Sequence, residues 1–275
     1  MSLRYRLATP ALWARRLMQS AGHGQTGFRA VLFHATENRD RFEQTVSHIS
    51  NHHGFVDPKN PYVEAKNTRQ RAPVLLSFDD GFQSNHTTAA TVLEEHGTRG
   101  MFFVCPGLHD LTSNAQRDAV AANVFRGRVN ASDVPSLMTW DEIGDLAERG
   151  HVIGAHGMTH TRLSTLSGGA LAQEIEQAGA TIKDRIGVQP AWYAWAFGDI
   201  DSTSAEAMAV IQSAYPNCRS GIRGRNGPSV NHHAIRAEMI DCDSPIAYQA
   251  LALEGGFDRR YAKARSRLDQ ITRNF

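Results

Sequence analysis

Two neighbouring aspartates, Asp79 and Asp80, follow the apolar run "VLLSF" and precede Gly81. Such a run predicts a buried strand, on which successive side chains point to opposite faces, so the two carboxylates can share a site only where the strand ends. Gly81 lets it end, because glycine adopts backbone conformations that other residues avoid. The aspartates could hold a cation, or they could cap the following helix. By itself this motif leaves both interpretations open.

His156 and His160 lie four residues apart in "IGAHGMTH", at the end of the apolar run "HVIGA". On a helical turn this spacing puts both imidazoles on one face, where they can bind a single metal ion. The chain contains 13 histidines, so a pair with this spacing is expected by chance. Their position after a strand favours the metal hypothesis, because two imidazoles and one carboxylate are a usual ligand set for catalytic zinc.

Short apolar runs alternate with helical patterns along the chain, which is typical of a parallel sheet with helices outside it. The carboxyl ends of parallel strands form one rim, so both motifs should meet at the same site. About seven strands are predicted, close to the eight of a closed (β/α) barrel. They lie at 29–35, 73–78, 100–104, 151–156, 191–197, 218–222 and 237–242.

Three helices have clear boundaries in the sequence. One is predicted at 84–96, the next begins at a capping box of Thr139 and Glu142 and ends at Gly150, and a third spans about 169–185. Residues 108–138 contain Gly, Asn, Ser and Pro with weak periodicity. This composition predicts a long loop or insertion over one rim of the barrel.

The length of 275 residues, of which 41% are hydrophobic, is enough for one large domain. We expect residues 28–250 to form the barrel, residues 1–27 a helical N-terminal extension, and residues 251–275 a C-terminal helical tail. The formal net charge of +1 and the pI near 7.9 lack the electrostatic footprint of a nucleic-acid binder. Nucleic acid is therefore not an expected partner.

Cys105, Cys218 and Cys242 are odd in number and far apart, so we expect reduced core thiols and no disulfide framework. The amino-terminal segment carries dispersed arginines and no uninterrupted apolar core, which fits neither a signal peptide nor a transmembrane span. We therefore expect a cytoplasmic protein without stable membrane insertion. Peripheral association through a basic amphipathic helix bearing Leu12 and Trp13 is an open alternative, although packing on the domain surface is favoured.

Several segments occur together in a specific order: "LLSFDDGFQSN", "MTWDEIGDLAERGH", "HVIGAHGMTHTRLSTL" and "AWYAWAFGDID", preceded by "AVLFHAT". With them the chain resembles the polysaccharide deacetylases, carbohydrate esterase family four, over roughly residues 28–243. The resemblance implies an α/β fold, a distorted (β/α) barrel of about seven parallel strands. It also implies an enzyme that hydrolyses the N-acyl group of an amino sugar.

The resemblance carries roles to individual residues of this chain. It implies that Asp80, His156 and His160 bind one divalent metal ion, most simply zinc, and that Asp79 is the general base that takes a proton from the attacking water. The oxyanion would be stabilised by the metal and by the backbone N–H of Phe197.

Three further residues are candidates for contact with the substrate. His34 follows the first predicted strand and should face the rim, and Trp195 could form a platform on which a sugar ring stacks. Asp199, two residues beyond Phe197 in the third motif, is the last candidate.

Departures from the family pattern affect the remaining roles. Ala196 stands where the family often has proline, so the turn that aims the Phe197 amide can differ. The histidine of the last family motif, the general acid, has no counterpart, and His232 and His233 are weak substitutes. Arg236 resembles an arginine that some members place there, and we expect it to orient Asp79 by a bidentate contact.

The leading functional hypothesis is a metal-dependent hydrolase that removes an acetyl or formyl group from an intracellular amino sugar, an intermediate of surface polysaccharide synthesis such as that of lipopolysaccharide. A catalytically silent carbohydrate-binding relative is the alternative, because of Ala196 and the missing histidine. A metal-dependent phosphodiester hydrolase with the same ligands is a third, weakened by the lack of a basic cluster near the motifs.

Overall fold

A computed structural model of the protein describes residues 3–19, 27–62 and 71–273. Its centre is a single sheet of seven parallel strands, in the spatial order β6-β5-β4-β3-β2-β1-β7. The strands are β1 Arg29–Phe33, β2 Val74–Phe78, β3 Met101–Val104, β4 Val152–Ala155, β5 Trp192–Ala194, β6 Asn217–Arg219 and β7 Ala237–Met239. The predicted fold class is therefore confirmed.

The sheet curls until its two edges approach each other. Arg219 of β6 forms a parallel bridge with Ile235, just before β7. The Ser220 amide donates to the Ile235 carbonyl at 2.7 Å, and the Ile235 amide donates to the Cys218 carbonyl at 3.1 Å. These bonds join the edges of a distorted barrel, which brings side chains from β6 and β2 within reach of each other across its interior.

Alternation along the strands separates two apolar layers, since successive side chains point to opposite faces. One layer fills the barrel and contains Leu75, Phe103, Trp192 and Ala194. The other packs between the sheet and the helices and contains Tyr193 with the outward residues of the remaining strands. Both faces are thus buried, which explains why the strands read as continuous apolar runs.

Helices surround the sheet, and two of their boundaries follow from the sequence. A capping box closes the start of the helix after Thr139, with Glu142 bonding back to the Thr139 amide. The helices are α1 Leu3–Arg6, α2 Ala8–Gln19, α3 Arg39–His52, α4 Thr91–Glu95, α5 Pro106–His109, α6 Ser113–Asn123, α7 Trp140–Glu148, α8 Gly169–Ile186, α9 Ala205–Ala214, α10 Ile246–Leu253 and α11 Ala262–Ile271. A π-helical turn, Asn85–Ala90, precedes α4. Gly187 ends α8 in the left-handed conformation.

The segment predicted as a long loop or an insertion over one rim, residues 108–138, contains the helix α6. The helix was not predicted, because only Val120 and Ala121 of it are buried and its sequence has almost no apolar period. The segment packs over the carboxyl ends of the strands, where Leu137 forms a bridge with Phe82 and the Met138 amide donates to the Gly81 carbonyl.

The N-terminal helix α2 packs against α10 through Leu12, which clusters with Ala250 and Leu251, and Ala8 of α2 is also buried. Residues 1–2 and 20–26 of the predicted N-terminal extension lie outside the described residues, as do the last two residues of the predicted C-terminal tail. Within the described part of the chain, no helix is both long enough and apolar enough to cross a bilayer.

Candidate active site

A cavity of about 540 Å³ opens at the carboxyl ends of the strands. Its floor carries polar side chains from the ends of β2 and β4, and residues from the segment that contains α6 cover one side. The lining includes Asp79, Asp80, His156, His160 and Phe197. The barrel therefore brings together the motifs that the sequence analysis singled out.

Asp79 and Asp80 reach the same cavity by different backbone routes. Asp79 continues the inward phase of β2, in which Leu75 and Ser77 also point into the barrel. Asp80 would point outward on a regular strand, but its φ of 71° lies in the left-handed region and turns its side chain back. Gly81 follows with φ of 72°. The end of the strand thus allows two adjacent carboxylates to share one site, with exposures of 5% and 1%.

Three ligand atoms converge at the floor of the cavity. Oδ1 of Asp80 lies 3.6 Å from Nε2 of His156 and 3.3 Å from Nε2 of His160. All three residues are buried, and they form the one cluster of metal-ligating side chains found among the described residues. The spacing agrees with a tetrahedral zinc site, in which ligand atoms about 2.1 Å from the ion are about 3.4 Å apart.

The protonation of the two rings tests whether a cation fits. Nδ1 of His156 lies 2.7 Å from the Ala194 carbonyl, and Nδ1 of His160 lies 3.3 Å from the Asn123 carbonyl. A carbonyl can only accept, so in each neutral ring Nδ1 carries the proton and Nε2 presents a lone pair. Oδ1 of Asp80 is buried and lacks a hydrogen-bond partner. Three electron-rich atoms facing one another without a proton fit a divalent cation.

Arg219 is the charged partner of Asp79. Its Nη2 contacts Oδ1 of Asp79, and both side chains are buried. The guanidinium also lies over the ring of Phe103, 4.8 Å from its centroid, inside the barrel. The ion pair therefore spans the interior between β6 and the end of β2.

Burial and charge act in opposite directions on the carboxyl of Asp79. Burial raises its pKa, but the positive charge of Arg219, assisted by His156 and His34, outweighs burial and holds the pKa below its usual value. Burial also lowers the pKa of His156, against the attraction of Asp79. The two shifts favour an ionised Asp79 next to a neutral His156.

Phe197 has a positive φ of 68°, and it lies at the end of β5 with Gly198. Among the described residues, no acceptor is bonded to its backbone N–H. Its ring packs edge-on against His160, with 4.7 Å between centroids. The turn that follows β5 is held to β6 by the Gly221 amide, which donates to the Gly198 carbonyl at 2.9 Å. Without the family proline, this contact supports the turn.

The three predicted substrate contacts have different locations. His34 is exposed and lines the cavity. Trp195 is 1% exposed, packs in the outer apolar layer and donates from Nε1 to the Asp199 carbonyl at 3.0 Å. The prediction of a stacking platform is therefore wrong for Trp195, because strand alternation turns it away from the barrel interior. The Asp199 carboxylate caps a 3-10 turn and does not line the cavity, so that prediction is corrected as well.

Arg236 does not contact Asp79, which contradicts the prediction that it orients the base. Its Nη2 donates to Oδ1 of Asp269 at 2.5 Å, and its Nη1 donates to the Arg225 carbonyl at 3.1 Å. The physical reason is its position: Arg236 precedes β7, so it lies at the amino end of the barrel, whereas the cavity lies at the carboxyl end. Arg219 makes the contact in its place.

His232 and His233, the weak candidates for the general acid, do not line the cavity. His232 stacks on Tyr62, with 3.9 Å between ring centroids, and Nε2 of His233 bonds the Tyr215 carbonyl at 2.7 Å. Both contacts are structural.

Sequence reasoning missed two residues of the site, Arg219 and Phe125. The sequence could have indicated Arg219, because an arginine in a predicted buried strand, next to Cys218, needs a buried partner for its charge. Phe125 lies in the segment predicted as a loop and lines the cavity. No sequence pattern marked it, because its position depends on how that segment folds over the rim.

A comparison with models of protein families identifies the family to which this chain belongs. Residues 66–215, more than half of the chain, match the family model described as polysaccharide deacetylase. The chain belongs to the polysaccharide deacetylase family. Membership of this family indicates that the protein is a carbohydrate deacetylase. No curated protein sequence matches the chain.

Solved structures of deacetylases share the fold. A deacetylase PplD of Streptococcus pyogenes in complex with acetate is 13% identical, covers 83% of this chain and 99% of its own, and has a TM-score of 0.64. IcaB of Ammonifex degensii is 17% identical, with 85% and 100% covered and a TM-score of 0.64. A de-N-acetylase of Aggregatibacter actinomycetemcomitans is 14% identical, with 82% and 99% covered and a TM-score of 0.60. At these identities the likeness establishes the fold.

Proposed function

We propose that this polysaccharide deacetylase is a divalent-metal-dependent hydrolase that removes an acetyl or formyl group from the nitrogen of an amino sugar. The observation that carries the proposal is that a set of metal-ligating side chains and a buried ion pair lie next to each other in one cavity. Asp80, His156 and His160 present a metal-ligand set, and the Asp79–Arg219 pair supplies an ionised carboxylate next to it. Oδ2 of Asp79 lies 4.0 Å from Nε2 of His156.

Each residue of the cavity floor has a distinct role in amide hydrolysis. A zinc ion bound by the three ligands would lower the pKa of a coordinated water and polarise the acyl carbonyl. Asp79 accepts the proton of the attacking water. Arg219 keeps the Asp79 carboxylate ionised and in position. The backbone N–H of Phe197 donates to the carbonyl oxygen as negative charge develops there.

His34 is our candidate for the acid that protonates the departing amine. It follows β1, which pairs directly with β7, the strand where the family histidine is missing. Its side chain lines the cavity, and its charge is among those that lower the pKa of Asp79, so the two groups interact across the site. A histidine from the neighbouring strand can thus replace the missing one.

The proposal includes the substrate class and the compartment. The cavity volume lies within the range of small-molecule sites, about 300–1,000 Å³, which suits an amino-sugar intermediate of surface polysaccharide synthesis, such as that of lipopolysaccharide. Cys105, Cys218 and Cys242 are unpaired, and this supports a reducing, cytoplasmic location.

The test measures acetate and formate released from N-acetyl and N-formyl amino sugars by the zinc-loaded protein. Asp79→Asn should retain the metal and lose turnover by about two to four orders of magnitude, the usual contribution of a positioned base. Asp80→Ala should lose the metal, as measured by elemental analysis, because three protein ligands leave no redundancy. Asp184→Asn, at an exposed position on α8, is the matched control and should behave as wild type.

The outcomes separate the alternatives. Unchanged turnover in Asp79→Asn would assign the base elsewhere. A wild-type protein that binds zinc and amino sugar but releases no acid would be a silent carbohydrate-binding relative. Release from a phosphodiester and not from an N-acyl sugar would favour a phosphodiester hydrolase.

A further inference from the structure

The loop that follows α6 places an arginine beside the cavity. The guanidinium carbon of Arg126 lies 4.1 Å from the centroid of the Phe197 ring. Phe197 lines the cavity, as do Val124 and Phe125 of the same loop. Arg126 itself is exposed. Its charged group therefore sits at the mouth of the site, above the residue whose amide faces the reacting carbonyl in the proposed function.

The backbone of Arg126 is held in an unfavourable conformation. Among the described residues, four that are not glycine have a positive φ: Asp80, Arg126, His160 and Phe197. Asp80, His160 and Phe197 line the cavity. Arg126, with φ of 56°, contacts the ring of Phe197. Such conformations are energetically unfavourable and persist where the surrounding structure holds them, most often at functional sites. Arg126 therefore shares its positive φ with three residues that line the cavity.

The guanidinium of Arg126 has no ion-pair partner in the part of the chain that the structure describes. Within the described ranges, no carboxylate lies within 4.0 Å of its guanidinium nitrogens, and its side chain donates no hydrogen bond. Arg162 offers a contrast, since it contacts the same ring at 4.8 Å. Its Nη1 donates to Oγ of Ser202 at 2.6 Å and lies 3.4 Å from Oδ1 of Asp199. A contact with an aromatic face leaves the N–H groups of Arg126 available.

The acidic groups of the cavity do not compensate for this charge. The carboxylates that line it among the described residues are Asp79 and Asp80. Arg219 neutralises the first, and the second faces the two histidines of the metal-ligand set. A neighbouring groove beyond His34 is lined by Glu37, Asp241 and Asp243 and would repel an anion. An anionic group would therefore bind at the Arg126 side of the mouth.

We propose that the substrate carries an anionic group, a phosphoryl or a carboxylate, which Arg126 binds while the N-acyl group occupies the cavity floor. This inference rests on the proposed function and adds the chemical class of the substrate. Phosphoryl and carboxylate oxygens both accept paired N–H bonds from a guanidinium, and such charge-assisted bonds are stronger than neutral ones. Arg126 is then a specificity-determining residue that takes no part in the proton transfers.

The experiment compares three substrates: N-acetylglucosamine, N-acetylglucosamine 1-phosphate and N-acetylglucosaminuronic acid. For the wild type, kcat/KM should be highest for one of the two anions. Arg126→Gln should raise KM for that anion by about ten- to a hundredfold, with little change in kcat and no change for the neutral sugar. Arg126→Lys should retain part of the preference. Arg128→Gln, two residues further along the loop, is the matched control and should retain all of it.

A structural role for Arg126 predicts a different result. If it only holds the loop on Phe197, then Arg126→Gln lowers kcat/KM equally for neutral and anionic sugars, and the inference is overturned. A wild type that prefers the neutral sugar overturns it too. The phosphate and uronate arms distinguish the two sources of the charge.

A binding measurement separates this inference from the proposed function. Calorimetry with N-acetylglucosamine 1-phosphate is done on Asp79→Asn and on Asp79→Asn combined with Arg126→Gln, both loaded with zinc. A Kd about ten- to a hundredfold weaker in the second protein supports anion recognition even where no substrate is hydrolysed. Equal Kd values contradict it even where deacetylation is observed.

Discussion

The buried pair of Asp79 and Arg219 is the residue-level feature on which the site depends most. Each charge is almost completely removed from water, with exposures of 5% and 1%, so each requires the other. The pair also links β2, which Asp79 follows, to β6, which closes the barrel. Loss of the guanidinium would leave an uncompensated carboxylate next to the metal-ligand set.

We therefore predict that Arg219→Met lowers the free energy of unfolding by about 3–5 kcal/mol, the usual effect of removing one partner of a buried pair. Turnover should fall by about two orders of magnitude, because Asp79 loses its orientation, while zinc content stays at the wild-type level. Urea unfolding, steady-state kinetics and elemental analysis measure the three quantities.

Arg236→Met is the matched control for this prediction. It breaks an ion pair with Asp269, whose side chain is 31% exposed, at the other end of the barrel. Its kcat should equal that of the wild type. A loss of turnover in Arg236→Met, or none in Arg219→Met, would contradict the assignment of Arg219 as the residue that positions the base.

At the scale of elements, β4 is a strand whose backbone is closely packed by side chains of the inner apolar layer. It lies in the interior of the sheet, pairs with β3 and β5, and His156 follows its last residue. Gly154 allows the close packing here: a Cβ at this position would lie 2.5 Å from Cδ1 of Phe103 and 3.1 Å from the Trp192 carbonyl oxygen. The apolar side chains inside the barrel therefore pack directly against the backbone of β4.

Gly154→Ala should lower the free energy of unfolding by about 1–3 kcal/mol, because the added methyl overpacks the barrel interior. Gly144→Ala is the control, since a Cβ there meets only Cγ2 of Ile186 at 3.8 Å. Gly144 lies inside α7, so its replacement should raise stability by up to about 1 kcal/mol. Equal changes in urea unfolding for the two variants would show that the strand packing differs from that described.

At the scale of the whole molecule, several buried histidines make stability depend on pH. Burial lowers the pKa of His53, His109 and His151 to about 4 in each case. In the unfolded chain these rings have a pKa near 6.5. The unfolded state therefore binds more protons between pH 6.5 and 4, so the stabilisation is complete above pH 6.5 and is lost as the pH falls toward 4.

We predict that the free energy of unfolding, measured in urea, decreases from pH 7 to pH 5, with a slope of up to about 1.4 kcal/mol per pH unit for each such histidine. His53→Gln should reduce this slope. His52→Gln, at the exposed neighbouring position, should reduce it less, because the charge of His52 is only a minor cause of the low pKa of His53. A slope in His53→Gln equal to that of the wild type would indicate that His53 already binds a proton in the folded state.

The sequence alone determined those features that depend on local chemistry. Apolar runs marked the seven strands, and the family motifs marked Asp79, Asp80, His156 and His160 at strand ends. Because the carboxyl ends of parallel strands share one rim, the meeting of these side chains followed without knowledge of the packing. The roles that the motifs imply for them stay predictions until the metal and the activity are measured.

Only the tertiary structure decided the contacts that depend on strand phase and on which end of the barrel a residue occupies. A shift of one residue along a strand exchanges inside for outside, so Trp195 faces the helices while Arg219 faces the barrel interior. Arg236 precedes its strand and Arg219 ends its own, which puts them at opposite ends. The place of Arg126 depends on a left-handed turn and on a segment without apolar periodicity. Such contacts join residues far apart in the chain, and no local pattern encodes them.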